Sequence, residues 1–368
     1  MKQLWMLIIV VLILSWLYER TYIGNPYRNS GRFSMIFLFM TVLLGGYLGL
    51  RTNYNDTYTY IGTYEKTKTF PQFWSTFNPS LSADPGFNLC NGLLKTLGVS
   101  TQSWLMIYAL VTIGLYLHFV RKNNNFLVQN IYLFFCVGAY IFAGAAIKQS
   151  IATAICLCGL SFALEKKWIR YAIIVFIGMT FHVYAAVFLL VPFLMFRPWS
   201  KKTVALIIGT VIIAFSLRSL FGAIVDITSG IGEGYDVASF SGEGVNIFRV
   251  LVCNAPALLA LVFHDEIFYK SNTKNNLFFN MAMVNGCIMF IGLFGTANYF
   301  ARLANFFVMA QAITLPWMIS KISENNRRLI QITMIAGYLM YFYYSTNVVY
   351  GEFSMKHISV ADYLQQLF

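Results

Sequence analysis

The chain has 368 residues, of which 58% are hydrophobic, 17% aromatic and only 11% charged, with a mean hydropathy of +0.64. A soluble domain of this size carries roughly a quarter charged residues, so the composition excludes a water-soluble globule and indicates a chain that crosses a membrane many times. The formal net charge of +12 would suggest nucleic acid in a soluble protein; here the sidedness of Lys and Arg across a membrane accounts for most of it, and no nucleic-acid partner is expected.

A spanning helix needs about 17–25 mostly apolar residues. Candidate spans fall near 3–18, 33–50, 102–120, 126–146, 150–165, 168–181, 183–196, 203–221, 249–263, 277–295, 303–319 and 329–345, several of them short. The expectation is an all-α, polytopic helix bundle of about twelve transmembrane helices forming a single integral membrane domain over residues 1–368, with two longer external loops carrying short amphipathic helices. The first run, Leu4–Leu17, follows Lys2, but "YERTYIGNPYR" offers no small-x-small cleavage site, so it reads as a retained helix. Of the six cysteines only Cys90 lies in a predicted loop, and neither a disulfide framework nor a paired-cysteine metal site is visible.

Orientation follows from the connections. The set 19–32, 121–125, 165–170, 197–202, 264–276 and 320–328 holds 16 of the 26 basic residues in short loops, which places it in the cytoplasm and both termini outside. Nine of the 14 acidic residues fall on the other side: Asp56, Glu65, Asp84, Asp226, Glu233, Asp236, Glu243, Glu352 and Asp362. Two external segments are long, about 51–101 and 222–248. In the first, Phe87, Leu89, Leu93, Leu94 and Leu97 recur at helical spacing, as in a helix that lies on the outer leaflet or packs on the bundle. The second, rich in Gly and Ser, contains no phosphate-binding glycine motif.

Cations on the outer side gain nothing from insertion. Arg51, Lys148, Arg218, Arg249, Arg302 and His182 are all expected near that face. A charge in or near hydrocarbon costs a few kcal/mol unless paired or hydrated, so each is a functional candidate. The bland alternative is a snorkelling arginine or a satisfied core histidine, and it fits Arg218 best. Lys148 follows the small residues of "GAAIKQSIATA", which allow close helix packing. Several outward cations on one bundle ask for an anion reached from the membrane. Arginine offers a planar fork to phosphate and lysine a point charge, and charge-assisted bonds contribute about 1.5–3 kcal/mol each. Tyr54, Tyr58, Tyr60, Tyr64, Phe73, Trp74, Phe77, Tyr235 and Tyr299 supply external rings on which sugars could stack; the alternative is an interfacial aromatic belt.

"GLRTNYNDTYTYIGTYE", "ADPGFNLCNGLLKTLG", the segment from "AAIKQSIATA" through "MTFHVYAAVFLLVPFLM", and "NYFARLANFFVMAQAITLPWMIS" together resemble the EpsG-like, Wzy-type polysaccharide polymerases over about residues 40–320. The family commonly has Arg-Gln where this chain has Lys148-Gln149, and a polar residue and Ser after the histidine where it has Val183 and Tyr184. The resemblance implies a GT-C-like glycosyltransferase of the bacterial cytoplasmic membrane with its active site facing outside. It would transfer a growing glycan from undecaprenyl diphosphate onto a lipid-linked repeat unit. The implied partners are that lipid-linked oligosaccharide, the bilayer and a chain-length regulator protein.

A diphosphate is a good leaving group if its charge is held, so the reaction needs a cationic clamp and a carboxylate that takes the acceptor proton, with no cofactor and no metal. Arg51, Arg249 and Arg302 are the clamp candidates, supported by Lys148, Gln149 and His182. Asp56 is the first choice for base, unless it merely pairs with Arg51, and Asp84 is the second. Tyr58 and Tyr299 are expected to face the glycan. The rival classes are a lipid-linked oligosaccharide transporter, which should show internal repeats and broken helices, a ligase using the same donor, and a membrane acyltransferase.

Overall fold

The computed structural model describes residues 1–22, 35–75, 84–123, 126–230, 244–349 and 353–366, with the side chains of 217–230 excepted. Arg218, Asp226, Phe77, Glu233, Tyr235, Asp236, Glu243 and Glu352 therefore lie outside the described side chains. The described chain is almost entirely helical and forms two compact units, Met1–Ala186 with Thr346–Phe368, and Val187–Ser345.

In the first unit the long helices are α1 (Lys2–Tyr22), α2 (Met35–Gly49), α6 (Thr101–Asn123), α9 (Ile147–Leu164) and α10 (Trp168–Phe181). Between α2 and α6 come a short strand β1 (Arg51–Asn53) and three loop helices, α3 (Thr57–Glu65), α4 (Phe70–Ser75) and α5 (Pro85–Thr96). Between α6 and α9 lie α7 (Leu127–Cys136) and α8 (Ala139–Ala145), which are bent by 51° to each other. Gly138 takes the corner with φ +82°, a conformation that a side chain would penalise. The helix α6 packs along α2 and α9, and α10 along α9. The segment predicted as amphipathic, α5, packs on the bundle: Phe87 joins a buried cluster with Tyr64, Trp104, Leu105, Tyr108, Ile147 and Ile151, while Leu93 and Leu97 stay exposed.

The second unit is organised around α15 (Thr273–Ile291). On it pack α11 (Lys201–Gly230), α12 (Ile247–Cys253), α13 (Ala255–Val262), α16 (Ala297–Asn305) and α17 (Val308–Lys321); the short α14 (His264–Phe268) lies against α17 and α18 (Glu324–Tyr344) against α12 and α17. A tight 3₁₀ helix, Val183–Leu194, leads into this unit. The α11 helix continues to Gly230, past the end at 221 expected from the sequence. Two expected spans are broken, α12/α13 at Asn254 and α16/α17 with a 58° bend. Side-chain amides add to the backbone bonds at carbonyls beside these breaks. Gln311 donates to Val252 O at 2.5 Å, Asn254 to Val250 O at 2.9 Å and Asn285 to Ala304 O at 2.7 Å.

Helices occupy every one of the twelve predicted segments. Among the described residues, three are long and apolar enough to cross a membrane, or five when each bent pair counts as one span. Rows of large apolar side chains face outward, including Met6, Ile9, Ile13 and Trp16 on α1 and Ile169, Ile173, Phe176 and Ile177 on α10. Patches of this kind are a liability in water and suit contact with lipid tails.

Candidate functional site

The chemistry-bearing residues of the first unit fall into two groups. One is built at the start of α5. Asp84 precedes the helix in the left-handed conformation, φ +50° and ψ +56°, with Pro85 as the first helical residue. Aspartate tolerates that region better than most residues, and proline at the first position forgoes only an N–H that the helix could not use. The Asp84 carboxylate makes no cap bond to its own helix. It turns instead toward two other helices. Its Oδ2 accepts from Lys148 Nζ at 2.7 Å, and its Oδ1 lies 3.8 Å from His182 Nδ1.

Lys148 stands in the first turn of α9, just past the bend at Ala146 (φ −120°, ψ 78°). Its ammonium also lies 5.4 Å from the centroid of the Phe87 ring, a cation–π distance. His182 is the residue after α10, in extended conformation, with the Tyr184 ring edge-on at 5.5 Å. Gln149, next to Lys148, is buried. The floor is the cluster around Phe87 and Trp104. It is pinned by buried Asn91, whose Oδ1 accepts from Trp104 Nε1 at 2.8 Å and Tyr108 Oη at 3.0 Å.

Burial works to raise the Asp84 carboxyl, but His182 and Lys148 outweigh it and hold its pKa below the ordinary carboxylate value. Asp84 is thus an anion at neutral pH, poised to orient a hydroxyl. A lysine ammonium has three N–H donors; one is on Asp84, so two remain for oxygens of a ligand.

The second group is the seat of Arg51. The guanidinium is only 1% exposed. Its Nη1 donates to Leu48 O at 2.5 Å and its Nε to Thr57 Oγ1 at 3.1 Å, while Nη2 has no hydrogen-bond partner among the described residues. Among the described residues no carboxylate pairs with it. Burial lowers its pKa to about 10, which still leaves it protonated at neutral pH. The chain's C-terminal segment covers it: β2 (Lys356–His357) pairs antiparallel with β1, Arg51 opposite His357, and Ile358 N donates to Leu50 O at 3.0 Å. His357 packs on Tyr47 and Phe353 on Tyr54, with ring centroids 4.4 and 5.5 Å apart. Asp56 stands at the start of α3 without capping it, and Tyr58 is 82% exposed.

Arg249, Arg302 and Tyr299 belong to the second unit. Arg249 is half-buried on α12, Arg302 exposed in the last turn of α16 near the bend, and Tyr299 half-buried one turn earlier. The neighbours Val250 and Ala301 share a core cluster with Cys253, Met289 and Ala304, so both arginines leave helices packed around one apolar centre. Among the described residues no three His, Cys, Asp or Glu side chains are grouped as a metal site would require.

Residues 33–359, nearly the whole chain, match the EpsG family. The chain belongs to the EpsG family. No curated protein and no solved structure matches it. EpsG membership, together with the apolar helices, makes this a membrane protein of polysaccharide-polymerase type. Within this EpsG chain, Asp84, Lys148 and His182 come together, Arg51 sits in its own covered seat, and Arg249 and Arg302 stand on the other unit. Two features escaped the sequence reading. The pairing of residues 51–53 with 356–357 is too short to leave an alternating pattern. The role of the Asp-Pro-Gly corner was visible as a tripeptide but not as a junction.

Proposed function

We propose that this protein is a polysaccharide polymerase of the cytoplasmic membrane, transferring a growing glycan from undecaprenyl diphosphate onto a lipid-linked repeat unit at the outer face. The observation that carries this reading is the buried Asp84 carboxylate held between Lys148 and His182 in a chain that matches EpsG proteins along 33–359. In the reaction an acceptor hydroxyl attacks the donor's anomeric carbon, the bond from that carbon to the diphosphate oxygen breaks, and the hydroxyl proton leaves to a carboxylate. Asp84 is the better placed of the two carboxylate candidates, since it is buried against Lys148 and His182; Asp56 is the alternative. Lys148 holds the departing diphosphate as charge develops on it; Arg249 and Arg302, on the second unit, are the further clamp candidates from the sequence. Arg51 joins them only if residues 353–358 move off its seat. Tyr58 and Tyr299 offer faces to the sugars, and a chain-length regulator is a natural partner. No cofactor enters the scheme.

The outward orientation rests on the charge bias of the loops. In keeping with it, the C-terminal segment and the first long loop lie on the same side of the first unit, through β1 and β2. The breaks at Gly138, at Asn254 and between α16 and α17 are a feature that a lipid-linked oligosaccharide transporter would also use, so export is the second reading. One experiment addresses both. Vesicles carrying the protein and supplied with lipid-linked repeat units should make long polymer, and Asp84→Asn, Arg249→Gln and Arg302→Gln, inserted at normal levels, should not. Polymer of full length from all three variants would end this assignment. Cells lacking the protein should accumulate single units outside; accumulation inside would favour export.

A further inference from the structure

The junction of α5 with α10 has a geometry that the reaction scheme does not use. An ideal Cβ on Gly86 would lie 2.1 Å from Thr180 Oγ1, 2.7 Å from Thr180 Cβ and 3.2 Å from its carbonyl oxygen. The first two separations are ones that real Cβ atoms do not reach. The threonine cannot easily swing away, because its hydroxyl donates to Ile177 O at 2.7 Å within its own helix. Gly86 is thus the residue that lets the first turn of α5 touch the last turn of α10. It stands two residues after Asp84, as Thr180 stands two before His182, whose N–H still reaches back to Gly178 O at 3.1 Å. The two helix ends that carry the carboxylate and the imidazole therefore meet closely at this pair.

We propose that Asp84-Pro85-Gly86 is a built corner, with Gly86 and Thr180 as positioning residues that set the carboxylate between Lys148 and His182. This rests on the polymerase reading for its catalytic consequence and on geometry alone for the placement. Each member of the tripeptide has its own task. Asp84 turns the chain through the left-handed region, so its side chain leaves the helix axis and points toward α9 and α10. Pro85 fixes the first helical φ at no cost in hydrogen bonds. Gly86 removes the atom that would hold the helices apart. With any side chain at 86, α5 is pushed off α10, the 3.8 Å spacing to His182 opens, and the Lys148 ion pair is strained with it.

The test is a suppressor pair with two readouts. Gly86→Ala should lower polymer turnover by about a hundredfold, the scale of an ångström's misplacement at a reacting centre. It should also raise the rate at which Lys148 is acylated by a small anhydride, read by mass spectrometry on protein in lipid nanodiscs. Asp84→Asn marks the upper limit of that labelling. Adding Thr180→Gly to Gly86→Ala removes the clashing Oγ1 and Cβ and should restore both readouts most of the way. If Gly86→Ala labels and turns over like the parent, or if Thr180→Gly deepens the damage instead of relieving it, the corner has no positioning role. If the parent protein makes no polymer, the enzymatic reading fails while the labelling rates still decide the placement.

Discussion

Two seats in the first unit hold charge in opposite ways. At the α5 corner a carboxylate and an ammonium meet at 2.7 Å, with a histidine beside them and with the lysine side chain 31% exposed. At the end of α2 a single guanidinium is sealed, bound to a carbonyl and a hydroxyl and covered by the C-terminal strand. Ion pairing lowers the cost of burial, and partial access leaves the lysine donors usable. Neither holds for Arg51, whose hydrogen-bond partners among the described residues are a neutral carbonyl and a hydroxyl. The corner is arranged for a ligand to arrive, whereas the Arg51 seat is arranged to hold loop one, α2 and the C-terminal segment together.

The largest expected effect follows at the corner. Asp84→Asn keeps the size and the tolerance for left-handed backbone but removes the charge, and polymer formation should fall by at least about a hundredfold in protein that inserts and folds normally. The pH dependence has a definite sign. The folded-state value of Asp84 is lowered, so its contribution to stability is complete above the ordinary carboxylate value and is lost as pH falls through the depressed one. Thermal unfolding of purified protein should therefore show an acid-side loss that Asp84→Asn lacks. Parallel acid profiles for the two proteins would mean that the ion pair contributes nothing to the fold.

A smaller effect is expected at the second seat. Arg51→Met replaces a buried cation that has no carboxylate partner among the described residues with an apolar side chain of comparable length, an exchange that is often nearly neutral for stability. Two hydrogen bonds are lost, so stability should change by no more than about 2 kcal/mol, and turnover by about tenfold, or 1.4 kcal/mol of barrier. A loss equal to that of Asp84→Asn, with the melting temperature unchanged, would place the guanidinium at the chemistry and reverse the contrast between the seats.

Both seats were partly legible in the sequence, for one reason: a polar side chain amid long apolar runs is expensive and stands out. Helix is also found in each of the twelve apolar runs that hydropathy picked out. What one dimension could not carry was convergence. Asp84 and Lys148 lie 64 residues apart, and their meeting depends on a glycine whose value lies in an atom it lacks. Arg51 read as a clamp candidate at the outer face because the strand that covers it comes from the far end of the chain and pairs over only two or three residues. The breaks at Gly138 and Asn254 were hidden because apolar residues continue on both sides. The face of α5 was ambiguous for a related reason. An amphipathic pattern gives a buried side but not its partner, and here that partner is the bundle around Trp104.

The smallest effect concerns the aromatic row of loop one, whose members now divide. Tyr64 is buried, stacked on Trp104 with centroids 4.8 Å apart, its hydroxyl donating to Val99 O at 2.9 Å. It belongs to the floor under Asp84. Tyr58, on the same short helix, is 82% exposed and its removal cannot open a cavity. Tyr58→Ala should therefore leave stability within about 0.5 kcal/mol. If a sugar ring of the lipid-linked unit rests on it, the substitution should raise KM severalfold with kcat unchanged, since stacking of this kind stabilises bound substrate and transition state alike. An unchanged KM would assign the exposed tyrosine to the lipid–water boundary, where rings of its kind gather without any substrate, and the sugar would have to be held by residues nearer the corner.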